Sequence, residues 1–391
     1  MKKSQIISVG MAMFAMLFGA GNIVFPLVLG RDMGDMLWFG LFGFAITAII
    51  VPILGLVSVM LCDGQYDLFL GRLGKIPGTI IAIICMIVIG PFAITPRCVV
   101  ISHAGIKPYM PQFTLLYFSI FCAALIYAFT RKQNSVIDII GKFLAPLKII
   151  LLITLIVVGF MFPAAFLTVS MSSGQGFFTG LFTGYKTADL LGIIFFSALI
   201  LSGIRKSMAH AGHIEPKTLA LRGFQAGLIG ASLLGFVYSG FCVVAAFYGA
   251  ELAGVQDGDI FSKLASLVLG SIGGLMANIT VGVACLVTAV ALTTVFADFL
   301  QRIILKEKIS YHTCLLITIA ITTIMSNLGF ARIMQIAGPI LDILYPGLIV
   351  LAIVNIAHVL FGFKWIKTPV FATFAITLVM QYWDAIRTLI K

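Results

Sequence analysis

Apolar runs of about twenty residues recur along almost the whole chain, and no other feature limits its folds as strongly. A helix rises about 1.5 Å per residue and has roughly 30 Å of hydrocarbon to cross, so a run of that length matches one membrane crossing. In lipid every backbone N–H and C=O must be satisfied within the protein, which leaves helices and closed barrels as spanning structures. Barrel strands alternate apolar and polar residues over about ten positions. These runs are continuous instead, so the chain reads as an all-α integral membrane protein. Of its 391 residues, 61% are hydrophobic and 10% charged, and its mean hydropathy is +1.15. A soluble domain cannot hide that much apolar surface.

The runs predict about eleven spans, near 5–29, 37–62, 77–100, 113–130, 142–162, 187–204, 221–249, 273–299, 311–328, 336–361 and 367–388. Together they make a single transmembrane domain over 1–391, with core helices in about 5–361 and an additional C-terminal helix at about 367–388. The longest loops, 163–186 and 205–220, are too short for a soluble domain, so any chemistry sits inside the bundle. The stretch 131–142 reads as a short amphipathic helix on the inner side. Lys2 and Lys3 ahead of an apolar run have the outline of a signal peptide. That run continues to about Leu29 without a cleavage site, and is read as the first span.

The net charge of +11 would point to nucleic acid in a soluble protein. Here the basic residues sit in short connections, where they report topology. With the N-terminus inside, 17 of the 25 Lys and Arg fall on inner segments and 8 on outer ones. An N-terminus in the cytoplasm follows, and an odd span count places the C-terminus outside. The seven cysteines, Cys62, Cys85, Cys98, Cys122, Cys242, Cys285 and Cys314, are scattered singly. With no C-x-x-C pair they suggest neither a disulfide framework nor a zinc site, and read as small buried hydrophobes.

Two spans carry residues that weaken a helix or polarise its face. The first contains Phe18-Gly19-Ala20-Gly21-Asn22 and then Pro26. Each Gly costs about 1 kcal/mol relative to Ala, and Pro26 removes a donor and clashes one turn back. A break here frees backbone groups at mid-membrane, tolerated where they face protein or a wet cavity. Freed N–H groups at a helix start attract a carboxylate, and freed carbonyls take a cation or an amine. The plainer reading is that the glycines only permit close helix packing. In the eighth span Gly282, Cys285, Ala289 and Thr293 form a small-residue face, bordered by Thr288. The Thr288 hydroxyl is an oxygen of the kind Na⁺ takes, or it simply bonds back to its own helix. Gly19–Asn22, Ser197 and Thr288 all lie near the middles of their spans and share one depth.

Charge within a span costs about 2.5–3.5 kcal/mol at the centre. Arg97 follows Pro96 near the outer end of span three, Asp189 opens span six and Asp342 lies in the outer part of span ten. Their shared depth suggests an outer gate of Arg97 with one acid. The alternative is that Arg97 snorkels outward and Asp189 caps a helix start near Thr187.

The run Phe18-Gly19-Ala20-Gly21-Asn22-Ile23-Val24-Phe25-Pro26 resembles the first-helix signature of bacterial branched-chain amino acid:cation symporters (the LIVCS family). So do Gly90-Pro91 with Thr95-Pro96-Arg97, Phe143-Leu144-Ala145-Pro146-Leu147-Lys148, Gly184-Tyr185 with Thr187 and Asp189, Cys285-Leu286-Val287-Thr288-Ala289, and Ser326-Asn327-Leu328-Gly329. The resemblance implies the fold of the amino acid/polyamine/cation superfamily: two five-helix halves of inverted topology (the LeuT-type core), with helices one and six unwound around the substrate. It implies that the amino acid, leucine, isoleucine or valine, lies at Gly19, Ala20, Gly21 and Asn22 with Phe195, Phe196 and Ser197. Phe18, through its backbone, and Thr288 would hold Na⁺. It further implies a multi-pass protein of the bacterial cytoplasmic membrane, with no cofactor beyond a coupling Na⁺ or H⁺ and no protein partner beyond the lipid bilayer. Two departures stand out. The family pattern has about twelve spans, the extra one lying outside the ten-helix core. Position 197 is Ser where Gly is expected, which would narrow or polarise the pocket.

Symport of a branched-chain or similarly apolar amino acid by alternating access is the expected activity, with methionine as another substrate. A channel would need a filter or a charged ring, and neither repeats here. An intramembrane enzyme lacks its signatures: there is no H-E-x-x-H, G-x-S-x-G or G-x-x-x-x-G-K-[ST]. The histidines, His103, His210, His213, His312 and His358, fall near span ends or in loops.

Overall fold

The computed structural model describes residues 3–131, 136–207 and 216–383; the side chains of 131–147, 199, 202, 206–207 and 216–217 lie outside that description. Among the described residues the chain is helical, without a strand. Five helical stretches among the described residues are long and apolar enough to cross a membrane: Ala20–Leu61, Lys75–Ile106, Thr218–Phe247, Asp257–Ile304 and Gly329–Phe361. Shorter apolar helices lie between them. This is a multi-pass membrane protein, with many large hydrophobic side chains on its outer surface, Trp38, Phe42, Ile76 and Phe361 among them.

The first apolar run is two helices, α1 (Lys3–Leu17) and α2 (Ala20–Met33), separated at Phe18 and Gly19. Helix α2 continues through Pro26. Then come α3 (Leu37–Ala45) and α4 (Val51–Leu61), joined by a wide turn of π-type helix at Ile46–Ile50. A short α5 (Tyr66–Gly71) leads to α6 (Lys75–Ile87) and α7 (Ile94–Ile106). Those two are bent at Gly90, which is non-helical and precedes Pro91. Next are α8 (Leu115–Arg131) and α9 (Val136–Met161). Of the amphipathic helix expected over 131–142, residues 132–135 lie outside the described residues, and from Val136 the backbone already belongs to α9.

The segment expected as a loop over 163–186 holds a further helix, α10 (Ser173–Tyr185). Its start is local chemistry: the Ser172 Oγ accepts from Gln175 N, and Gln175 Oε1 accepts from Ser172 N, a reciprocal cap. Its packing explains its many glycines. A Cβ on Gly180 would run into the backbone of Gly40, so α10 lies directly against α3, backbone to backbone. This helix is followed by α11 (Asp189–Ser207), and between them Lys186–Ala188 leave the helical path, with Ala188 at φ +62°. The sixth run, α11, is thus preceded by a break, and with α10 it forms a broken pair like that of the first run.

The remainder is α12 (Pro216–Phe247), a short α13 (Gly249–Leu252), α14 (Ile260–Phe299), α15 (Tyr311–Ser326), α16 (Gly329–Phe361) and α17 (Lys367–Gln381). Helix α14 is kinked at Gly270, where φ is +71°. Helix α16 runs unbroken through Pro339 and Pro346. Both halves of the first pair pack on α12, α1 also meets α11, and α14 packs along α7 and α9. The two broken pairs therefore face each other inside the bundle.

Candidate functional site

Glycine, which helices tolerate poorly, brings the first break about. Gly19 has an extended backbone, with φ −117° and ψ −161°, and the chain re-enters a helix at Ala20. Asn22, three residues on, closes this turn: its Oδ1 accepts from Gly19 N at 2.9 Å. Opposite lie Lys186–Ala188, where Thr187 Oγ1 donates to Gly184 O at 2.8 Å. A Cβ on Gly21 would stand 3.2 Å from Thr187 O and 3.3 Å from Thr187 Cα. A side chain at this position would press on the Thr187 backbone and push the two breaks a few tenths of an ångström apart.

A buried polar network ties the breaks together. Asp189, the first residue of α11, is 2% exposed. Its Oδ1 accepts from Asn22 Nδ2 at 2.7 Å and its Oδ2 from Tyr238 Oη, on α12, at 2.8 Å. Asn22 Nδ2 also donates to Tyr238 Oη. Both carboxylate oxygens thus receive donors in a buried setting, where such bonds are strong and specific. Tyr345, on α16, accepts from Leu190 N at 3.1 Å and lies against the Tyr185 ring at 4.9 Å. It holds the start of α11 from the far side.

A narrow cavity opens beside this network. Its walls are Met16, Leu17, Gly19, Ala20, Gly21 and Asn22 from the first break, Thr187, Ala188, Asp189, Gly192 and Phe196 from the second, and Ile89, Ile94, Thr288 and Leu292. The lining mixes apolar side chains (Leu17, Ile89, Phe196, Leu292) with polar groups (backbone at 19–21, Thr187, Asp189). That mixture is the chemistry an aliphatic side chain with a charged head needs, while the free space of about 30 Å³ admits little more than water, so the cavity is closed below an amino acid's size in this conformation.

Of the residues expected around the substrate, Gly19, Ala20, Gly21, Asn22 and Phe196 line the cavity, and Phe195 and Ser197 do not. The unwinding falls at Lys186–Ala188, not at 195–197, which are inside α11. Phe195 turns to Tyr66, ring centres 5.0 Å apart. Ser197 Oγ donates to Ile194 O at 2.7 Å and to Gly64 O at 3.2 Å. It ties α11 to the turn after α4 and does not polarise the pocket. The chain does carry a signal for the true break, in Gly184, Thr187 and Asp189: a helix-ending glycine followed by residues that favour a helix start.

The two groups expected around a sodium ion are placed otherwise. Phe18 O accepts from Lys148 Nζ at 3.3 Å. Thr288 Oγ1 donates back to Ala284 O at 3.1 Å, and its methyl Cγ2 is what faces Gly19. The expected gate is not closed by an ion pair either. Arg97 is fully buried and does not snorkel. Its Nη1 donates to Lys186 O at 2.9 Å, its guanidinium lies 5.5 Å from the Phe25 ring centre, and its Nε and Nη2 have no partner among the described residues. Asp189 is instead engaged by Asn22 and Tyr238, and Asp342 leaves one oxygen unpartnered. The carbonyl end of α10 attracts the guanidinium in place of a carboxylate.

Comparison with known proteins places the chain. Residues 2–390 match the family model described as branched-chain amino acid transport protein. The branched-chain amino acid permease BrnQ of Escherichia coli (strain K12) is 32% identical over 371 residues, covering 91% of this chain and 81% of that one. BrnQ of Bacillus subtilis (strain 168) is 29% identical over 92% of this chain and 83% of its own length. The branched-chain amino acid transport system 3 carrier protein of Pseudomonas aeruginosa is 30% identical over 90% and 80%. With a model match over nearly the full length and a relative above 30% identity, the chain belongs to the branched-chain amino acid transport protein family.

Proposed function

We propose that this protein is a secondary active symporter that imports leucine, isoleucine or valine together with Na⁺ or H⁺. The observation that carries the reading is the pair of opposed helix breaks, at Phe18–Gly19 and Lys186–Ala188, around one cavity of mixed polar and apolar lining. Exposed backbone at membrane depth is tolerated where it faces a polar ligand or protein. The backbone N–H groups at the start of α2 would hold the substrate carboxylate. Asp189 and the Thr187 carbonyl would hold its ammonium, and Leu17, Phe196 and Leu292 its aliphatic chain. Similarity to permeases and carriers for branched-chain amino acids supports that substrate class.

The eleven apolar runs fit a single domain of eleven crossings over 1–391. Ten of them form two inverted five-helix halves, each opening on a broken helix, α1/α2 and α10/α11, and rocking of one bundle against the other would give alternating access. The excess of Lys and Arg on one set of loops favours a cytoplasmic N-terminus in the bacterial inner membrane. The test is radiolabelled leucine uptake into proteoliposomes under an imposed cation gradient. Accumulation above equilibrium, competed by isoleucine and valine, is expected. Uptake that only equilibrates and is indifferent to those competitors refutes the reading in favour of a channel.

A further inference from the structure

Helices α7 and α14 meet along one close seam of small residues. A Cβ on Gly105 would stand 3.0 Å from Asn278 Cβ. One turn along, Ser102 Oγ donates to Gly282 O at 3.3 Å. One turn further, Cys98 and Cys285 lie thiol to thiol, and Cys98 also meets the backbone of Ala20, the first residue of α2. The seam is therefore part of the wall behind the first break. Toward α8 the helices part and leave a pocket of about 170 Å³. Its lining runs from Asn278 to Ala289 on α14, about 16 Å along the helix axis. Cys122, Ile126, Cys285 and Ala289 are buried in its depth, and Phe121 and Ile279, 51% and 50% exposed, stand at its mouth. Leu116, Ile120, Ile272 and Met276 continue that exposed apolar surface on the same two helices. In a membrane protein such a surface meets lipid tails, so the pocket opens to the bilayer.

The lining has no means of holding a charged or polar ligand. Among the described residues, no Asp, Glu, Lys, Arg or His lines it. The Ser102 hydroxyl donates to Cys98 O at 2.7 Å as well as to Gly282 O, and Asn278 Nδ2 donates to Ser262 Oγ at 3.2 Å. Water needs two to four polar partners, whereas an apolar cavity of about 150 Å³ stays dry and takes benzene. A helix, about 10 Å across, is too wide to enter. A hydrocarbon chain is thin and apolar, and the bilayer presents it at the mouth in great excess.

We propose that this pocket is a lipid site, which takes the hydrocarbon chain of one bilayer lipid between α7, α8 and α14. It is separate from the cavity between the two breaks but shares α14 with it: Cys285 and Ala289 line the pocket, Thr288 and Leu292 the cavity. The inference does not rest on the transport reading.

The test uses the full-length protein in proteoliposomes containing a trace of phosphatidylcholine with a diazirine near the end of one acyl chain. Adducts formed on illumination are mapped by peptide mass spectrometry. Ile272, 77% exposed, samples the surrounding bilayer, whereas Ile126 and Ala289 line the pocket and are each 1% exposed. Adducts are expected at Ile126 and Ala289 as well as at Ile272. Labelling of Ile272 alone overturns the proposal, and that measurement needs no variant. Gly282→Leu should fill the pocket from its wall, since a Cβ there meets nothing nearer than Ser102 Cβ at 3.8 Å. In that variant the adducts at Ile126 and Ala289 should fall about tenfold relative to Ile272, and adducts that persist unchanged overturn the proposal. Phosphatidylcholine carrying the diazirine on its headgroup should label neither Ile126 nor Ala289. If it labels them as well as the chain probe does, the pocket does not select the chain and the proposal fails.

Discussion

Asn22→Ala is the substitution that most directly tests the account of the site. Asn22 is 2% exposed, and its amide makes three hydrogen bonds, to Gly19 N, Asp189 Oδ1 and Tyr238 Oη. A bond to a charged group is worth about 1.5–3 kcal/mol net, a neutral one about 0.5–1.5, and a buried donor left unsatisfied costs about 1–3. All three bonds share one side chain, so their energies do not simply add. A loss of about 3 kcal/mol is the reasonable expectation. Tyr238→Phe removes the phenol from the same network. A double-mutant cycle on the pair should give a coupling of about 0.5–3 kcal/mol. The assay is equilibrium unfolding in mixed micelles with a rising fraction of denaturing detergent, run beside leucine uptake. Uptake should fall with stability, because Asn22 also closes the turn that exposes the first break. A loss below about 1 kcal/mol with no measurable coupling would refute the network as the element joining the two breaks.

Gly180→Leu should destabilise the protein by more than about 2 kcal/mol and abolish uptake, because its Cβ would run into the backbone of Gly40; the same unfolding assay checks this. Arg97→Met keeps most of the volume of a buried side chain that has no carboxylate partner among the described residues. Its stability should be unchanged or higher by about 1–3 kcal/mol while uptake falls, and a clear loss of stability would mean that the guanidinium is paired in the membrane. Phe196→Ala should raise the leucine KM, whereas Phe195→Leu and Ser197→Gly should leave the order of leucine, isoleucine and valine unchanged, because only Phe196 lines the cavity. Competition curves for the three amino acids distinguish these outcomes.

Local rules make the first break legible in the amino-acid sequence. Gly19 and Gly21 weaken the helix within one turn, and the backbone parts at Phe18–Gly19. The same holds for the apolar runs, each of which contains helix in the structure. Helix α10 is not legible in that way, because its hydrophobic content is diluted by Gly176, Gly180 and Gly184, whose value appears only once α3 lies against them. The second break falls earlier than expected for a related reason. Hydropathy centres span six on its most apolar stretch, around Ile193–Phe196, while the chain parts where Thr187 and Asp189 favour a helix start.

What the sequence by itself determined was the solvent, the helices and the first break, because hydropathy and glycine act over a few residues. What only the tertiary structure decided was who meets whom. Asn22 finds Asp189 across 167 positions and Tyr238 across 216. Lys148 reaches the Phe18 carbonyl across 130. Shared depth pairs Arg97 with an acid, yet the guanidinium lies against the carbonyl of Lys186. Depth in the membrane is one coordinate, readable by counting residues along a helix. The partners of a buried charge also depend on the rotation and lateral position of each helix, and close packing of the whole bundle sets those.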